Sequence, residues 1–407
     1  MTEAYLEENP QNITQADLVV AIPSYREARL IAYPTTQAAL GIKRYFVEQR
    51  CVLVNCDNNS DDGTKEAFFA ADTEGVPRIY ISTPPEVRGK GNNLRNLFRK
   101  VIDLKAKGVV VVDADLKSIT PQWIKHLGEP LFNDFGYVAP LYVRHKYDGT
   151  ITNSIAYPLT RALYGRRVRQ PIGGDFGFSG ELARVYLASP TWSEEVSQFG
   201  IDIWMTTLAM NNNVPICQAY MGRPKIHKPK DPGSELGPMF SQVVGTIFEL
   251  MTQTTGYWMR VKWSKPTSIY GFGLGEVEMP PPVKVSEDKL ASNFRDGLSR
   301  HRETWEAVLP RDIMNKVVEI AQLPAEQFDF PTQLWAKTLY DFAAAFRVQR
   351  VDREELLASL IPLYFGKTLS YVRKTARMSV QQAEEFIENE CMVFEESKPY
   401  LLERWDT

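Results

Sequence analysis

Four short β-branched runs, 17–23 (DLVVAIP), 51–56 (CVLVNC), 78–82 (RIYIS) and 109–112 (VVVV), are separated by segments of helical period. Each run is bounded by turn residues, as buried parallel strands are. In 92–107, Leu94, Leu97, Phe98, Val101 and Ile102 recur at the spacing of a helix with one apolar face. This alternation predicts an α/β fold with an open, mostly parallel sheet that binds ligands beyond the carboxyl ends of its strands. Further along, 137–143 and 214–220 read as strands, 201–210 as a helix, and the glycine-rich 171–180 (PIGGDFGFSG) as a loop.

The stretch 271–282 carries a Gly-x-Gly-x-Gly run and three consecutive prolines, which can continue neither a helix nor a central strand. It is expected to be a linker between a sheet domain over 17–270 and a helical region over 283–407 packed on it, with 1–16 a flexible N-terminus. In the helical region Trp335, Leu339, Phe342 and Phe346 form one stripe and Leu356, Leu360 and Phe365 another. Stripes at this spacing are more often core than interface.

The net charge of -3 over 407 residues offers no basic field for a polyanion, so nucleic acid is excluded as a partner. The first sixteen residues lack the positive and apolar regions of a secretory signal, and no apolar run approaches the roughly 18 residues of a membrane span. A cytoplasmic location without membrane attachment is expected. Cys51, Cys56, Cys217 and Cys391 contain no CxxC pair and read as reduced core residues, and the four histidines are too dispersed for a zinc cluster.

The chemistry concentrates where strands end. Val109-Val-Val-Val-Asp113-Ala114-Asp115 is a buried strand leading into two carboxylates at alternate positions, hence on one side of an extended chain. Two like charges there call for a cation. The first strand ends in Pro23-Ser-Tyr25-Arg-Glu27 and the second in Asp57-Asn-Asn-Ser60-Asp-Asp-Gly-Thr64. Glu27 and Ser60 are nucleoside candidates there, while Asp61 or Asp62 reads as a helix cap. Arg88-Gly-Lys90-Gly91 opens the next helix, a place suited to an anionic diphosphate, though it is not a Walker A motif.

In that order and spacing, PSYRE, DNNSDDGT, RGKG and DADL resemble the GT-A glycosyltransferases that make glucosyl-3-phosphoglycerate and their relatives, the mannosylglycerate synthases. Gln170-Pro-Ile-Gly-Gly174-Asp175, Phe199-Gly-Ile-Asp202, Asp148-Gly149-Thr-Ile-Thr152 and the segment around His227 extend the match, and the tail looks more like mannosylglycerate synthase. The resemblance implies a Rossmann-like, metal-dependent enzyme that moves a hexose with retention from a nucleotide-diphosphate sugar to a glycerate acceptor.

Carried over by position, Asp115 and His227 are metal ligands for Mg²⁺ or Mn²⁺, and Asp113 lies at the ribose. Pro23, Tyr25, Glu27, Ser60, Arg88, Lys90, Ala114, Gly174 and Asp175 complete the donor site. Lys90 or Arg88 assists the leaving diphosphate, and Asp202 touches the hexose. Arg144, Asp148, Gly149 and Thr152 take the acceptor. Where the phosphoglycerate enzymes carry an arginine after the glycine, this chain has Thr150, which argues for D-glycerate over 3-phosphoglycerate unless Lys146 or Arg161 supplies the charge. Uridine or guanosine in the donor, glucose or mannose, and a homodimer or a single chain stay open. A sugar-nucleotide pyrophosphorylase would open with a Gly-rich, arginine-bearing loop where PSYRE stands, and a non-catalytic descendant would have lost the metal residues.

Overall fold

The computed structural model describes residues 5–226, 237–271 and 278–406. It divides into two compact units. The first comprises Met1–Val143, Val168–Lys228 and Thr267–Pro281, and the second Arg144–Arg167, Pro229–Pro266 and Pro282–Thr407.

Among the described residues the first unit is built on nine strands: β1 (Leu6–Glu8), β2 (Leu18–Ser24), β3 (Cys51–Asp57), β4 (Arg78–Ser82), β5 (Gly108–Val111), β6 (Tyr137–Val143), β7 (Phe176–Ser179), β8 (Ile216–Pro224) and β9 (Ser268–Tyr270). They lie in the order β1-β4-β3-β2-β5-β7-β6-β8-β9. The neighbours β4, β3, β2 and β5 are parallel, with Val20 opposite both Leu53 and Val110. At the far side β6, β8 and β9 are parallel to one another. Strand β7 runs antiparallel to both β5 and β6 and joins the two halves. The sheet is thus mixed and mostly parallel, and the β-branched runs form its buried interior, with Val20, Ile22, Leu53 and Val110 packed with Trp123, Ile124 and Leu127.

The helix Lys90–Asp103 buries Leu94, Leu97, Phe98 and Val101 completely. At about 1.5–3 kcal/mol for each fully buried aliphatic or aromatic side chain, that face holds the helix on the sheet.

Three expectations are corrected. The segment 171–180 is not all loop, because Phe176–Ser179 is a central strand. Its glycines serve close approach instead: a Cβ at Gly177 would lie 2.4 Å from the Leu127 carbonyl, and one at Gly180 1.9 Å from that of Ala106. Residues 6–8, placed in a flexible N-terminus, pair with β4 as an edge strand. Finally, β5 stops at Val111, so Asp113 lies beyond the strand's end and Asp115 in the turn that follows.

The second unit is helical. Its long helices, Thr332–Val348 and Arg353–Thr375, carry the expected stripes: Trp335, Leu339, Phe342, Leu356 and Leu360 are fully buried. Asp352 caps the second of these helices through the Glu354 and Glu355 amides, and Ser379 with Gln382 forms a capping box on the next. The helical unit reaches further back in sequence than a division at 271–282 implies, for among the described residues it includes 144–167 and 237–266. Buried polar contacts within the unit give the reason. Arg161, 1% exposed, pairs with Glu388 and Glu395, and Trp335 donates to the Ser154 carbonyl at 2.8 Å. Residues 272–277 of the expected linker lie outside the described residues. Among the described residues, no helix is long and apolar enough to cross a membrane.

Candidate functional site

At the carboxyl edge of the sheet a small turn network forms first. Asp57, at the end of β3, is buried and accepts from the Ser24 hydroxyl at 2.6 Å, the Ser60 hydroxyl at 2.8 Å, the Ser60 amide at 2.6 Å and the Tyr80 hydroxyl at 3.0 Å. Ser60 in turn accepts from the Arg26 amide at 2.8 Å, which ties the PSYRE loop to the DNNSDDGT loop. The N-cap position of the following helix is Gly63, in the left-handed region, yet Asp62 still serves the helix end by accepting from the Thr64 amide at 3.2 Å, whereas Asp61 does not. Instead Asp61 pairs with Arg26 at 2.9 Å, and Asp62 accepts from the Ala28 amide at 3.2 Å and the Thr64 hydroxyl at 2.5 Å. Their position at a loop junction, invisible in sequence, decides this.

Pro23 is buried in β2 and Glu27 half-buried just beyond it. Tyr25 is exposed, with the Arg88 and Arg26 guanidinium carbons 5.2 and 5.5 Å from its ring centre and its hydroxyl accepting from Arg88. Two guanidinium groups thus stand over the ring as cation–π partners.

The glycines around Lys90 have a packing role that the sequence reading assigned to diphosphate binding. A Cβ at Gly89 would stand 2.2 Å from the Ser197 carbonyl, and one at Gly91 1.9 Å from that of Val196. The Gly91 amide donates to Gln198 at 3.1 Å, so that amide of the helix N-terminus is already used.

The Lys90 side chain enters a chain of alternating charge. Its ammonium donates to Asp202 at 2.9 Å and lies 3.6 Å from Asp113. On the other side of Asp113, Lys225 donates to Asp113 at 2.7 Å, to Asp175 at 2.8 Å and to the Gly173 carbonyl at 3.0 Å. Asp175 is fully buried and also accepts from the Asp113 amide at 2.8 Å and from the Tyr142 hydroxyl. Burial alone would lower the pKa of Lys90, but the carboxylates of Asp202 and Asp113 outweigh it and the net shift is upward. Asp175 moves up as well, because its burial exceeds the pull of Lys225.

Gly174 has φ +80, and a Cβ there would lie 2.7 Å from an Asp113 carboxylate oxygen, so this position excludes a side chain. Asp202 is not the helix N-cap, which is Gly200; it sits in the first turn, with one carboxylate oxygen on Lys90 and the other buried without a partner among the described residues.

Lys225 and Tyr142 were missed by the sequence reading. Lys225 follows β8 among other basic residues, in Arg223-Pro-Lys-Ile-His-Lys-Pro-Lys230, where nothing marks one lysine as buried. Tyr142 looks like any aromatic of a strand.

The DxD turn leaves Asp115 half-buried, with Ala114 buried beside it. Among the described residues the Asp115 carboxylate has no hydrogen-bond or ion-pair partner. The segment after β8 is pinned to this turn: the Lys117 amide donates to the Ile226 carbonyl at 3.0 Å, and the Ile226 amide to the Ser118 hydroxyl at 2.9 Å. His227, the next residue, lies outside the described residues. Among the described residues no group of three or more His, Cys, Asp or Glu side chains could hold a metal. The uncommitted Asp115 carboxylate is itself a hard oxygen donor of the kind Mg²⁺ or Mn²⁺ takes, with further oxygens needed to complete the shell.

The acceptor candidates lie in the helical unit. Gly149, at φ +71, brings Arg144 and Thr152 together: a Cβ there would be 2.8 Å from an Arg144 guanidinium nitrogen and 3.6 Å from the Thr152 hydroxyl. Asp148 is 3.9 Å from Arg144. Thr152 opens a π-turn, Thr152–Ala156, a feature often found at functional sites.

The two cations considered as substitutes for a phosphate-binding arginine are both committed. Lys146 donates to the carbonyls of Thr375, Ala376 and Met378 at 2.6, 3.1 and 2.8 Å, and Arg161 holds Glu388 and Glu395. Thr150 is 3% exposed with its hydroxyl on Tyr364, so an arginine at this position would meet packed side chains.

No family model matches the chain. The mannosylglycerate synthase of Rhodothermus marinus is 23% identical over 363 residues, which span 82% of this chain and 85% of that protein. Among solved structures, the glucosyl-3-phosphoglycerate synthase of Mycobacterium tuberculosis with Mn²⁺, UDP and glucosyl-3-phosphoglycerate covers 59% of this chain and 80% of its own, at 21% identity and a TM-score of 0.45. The same enzyme with Mg²⁺ and UDP gives 21% identity over the same shares and a TM-score of 0.44. The similarity to the mannosylglycerate synthase thus runs along most of the chain, through the segments that hold PSYRE, DNNSDDGT, RGKG and DADL.

Proposed function

We propose that this chain is a metal-dependent glycosyltransferase that moves a hexose, with retention, from a nucleotide-diphosphate sugar to D-glycerate. The observation that carries the reading is the row of Asp202, Lys90, Asp113, Lys225 and Asp175 beside a DxD turn at the carboxyl edge of the sheet. An open α/β sheet binds its ligands at that edge. The relative along most of the chain is a mannosylglycerate synthase, and neighbouring structures hold Mg²⁺ or Mn²⁺ with UDP.

In this proposal Asp115 and His227 hold the cation, which when bound offsets the charge that develops on the diphosphate as the bond to the sugar breaks. Lys90 contributes from the protein side. Its ammonium makes one side-chain hydrogen bond, to Asp202, and so retains donors for a phosphate oxygen. Asp202, paired to Lys90, is placed to accept from hexose hydroxyls. The ring of Tyr25 offers the base a stacking face. Arg144 forks to the glycerate carboxylate, and Asp148 and Thr152 take its hydroxyls.

Activity is expected to require Mg²⁺ or Mn²⁺. Asp115→Ala and His227→Ala are each expected to remove metal-dependent release of nucleoside diphosphate while circular dichroism stays that of the native fold. Full activity in EDTA would overturn the metal role.

The commitments of Lys146, Arg161 and Thr150 favour free glycerate over 3-phosphoglycerate. Glycerate is expected to show the higher kcat/KM, and Arg144→Ala to cost the glycerate reaction about 2–4 kcal/mol, the scale of a lost charge-assisted pair. A matrix of glucose and mannose nucleotides against the two acceptors tests this. A preference for 3-phosphoglycerate of about tenfold, or about 1.4 kcal/mol, would place the chain with the phosphoglycerate enzymes instead.

A further inference from the structure

Two lysines enter the same row of carboxylates, and their surroundings differ. The Lys225 ammonium has three protons and meets three oxygens, one each from Asp113, Asp175 and the Gly173 carbonyl, at 2.7, 2.8 and 3.0 Å. Its side chain is 5% exposed, and the Tyr142 ring stands 5.3 Å away. A Cβ at Gly174 would come within 3.2 Å of the same nitrogen. Among the described residues, three oxygens thus take the three protons of this ammonium. Lys90, with one side-chain hydrogen bond, keeps donors in reserve.

We propose that Lys225 is a positioning residue that holds Asp113 away from the metal. It engages one oxygen of Asp113, while the Asp113 amide donates to the far oxygen of Asp175, so carboxylate and turn are clamped as one piece. Asp113 then serves the donor through a fixed geometry, and Asp115 is the member of the DxD pair left to ligate. A consequence is weak metal binding by the free protein: one protein carboxylate in place of two, with an internal positive charge close by, lowers the field at the cation. Metal then enters chiefly with the nucleotide diphosphate, whose oxygens supply what the protein withholds. This inference rests on the donor site proposed above.

The test is Mn²⁺ affinity without nucleotide, measured by electron paramagnetic resonance on the full chain. Lys225→Met removes the hydrogen bond that fixes one Asp113 oxygen, leaving Lys90 3.6 Å from the other, and makes the row more negative by one charge, so Mn²⁺ is expected to bind at least about tenfold more tightly than in the wild type. Donor turnover is expected to fall because that Asp113 oxygen is no longer held. Should Lys225→Met leave too much buried charge to fold, the double variant Lys225→Met/Asp175→Asn removes the second buried charge and the same hydrogen bond to Asp113. Tightening is expected there too.

Unchanged or weaker Mn²⁺ affinity in a folded variant overturns the proposal, since a purely structural lysine would cut turnover without strengthening metal binding. Wild-type hexose transfer is measured in parallel. Its absence would sink the functional reading and leave the comparison of Mn²⁺ affinities standing.

Discussion

A chain ended after Met279 is expected not to fold. The truncation would strip the helical unit of everything after its first two segments, and what remains was built to be covered. Arg161, 1% exposed, would lose both Glu388 and Glu395, and an uncompensated buried charge costs about 3–5 kcal/mol. The carbonyls of Ala162, Trp258 and Val261 would lose the Lys398 ammonium that caps all three. Tyr157, fully buried, sits in a cluster with Tyr371, Ile387 and Cys391, all on the removed segment. Together these losses rival the roughly 5–15 kcal/mol by which native proteins are stable. Soluble yield and thermal melting measure the outcome. Cooperative melting of the truncated chain at the full-length temperature would show that the tail is a separate domain.

The second large effect is expected at Lys90. Lys90→Met removes the cation that retains donors for the diphosphate, and it leaves Asp202 with neither carboxylate oxygen satisfied by the described residues. Loss of one preorganised group aimed at developing charge lowers kcat by about 10²–10³-fold, and that range is expected for formation of the glycosylglycerate. The fold is expected to persist, because Asp202 stays in the first turn of the helix Ile201–Asn211, where the helix dipole favours a carboxylate. Turnover with saturating donor and acceptor, together with a melting curve, separates the two effects. A kcat within about threefold of wild type, a change of less than about 1 kcal/mol in the barrier, would remove Lys90 from the chemistry.

The legibility of the candidate site differed residue by residue. Asp113, Asp115 and Asp202 stand in motifs whose order along the chain is informative, and the structure gathers Asp113 and Asp202 about Lys90. Lys225 was not legible, because burial makes it special and burial is a property of the finished fold. The glycines of 89–91 and 171–180 misled for a related reason. Glycine in a sequence signals either a bend or an approach, and only the coordinates show the Ser197, Val196 and Leu127 carbonyls that make these approaches.

The sequence by itself determined what depends on local order: β-branched runs make the buried strands, 3.6-residue stripes make the helices, and polar ends of strands mark the edge at which ligands bind. The tertiary structure decided the pairing of residues distant along the chain: the insertion of β7 between β5 and β6, the inclusion of 144–167 and 237–266 in the helical unit, and the commitment of Lys146 and Arg161 to carbonyls and carboxylates of that unit. The reason is physical. A periodic pattern records which face of an element is buried, whereas a buried ammonium or guanidinium is placed by whichever carboxylates and carbonyls the packed chain brings within about 3 Å of it.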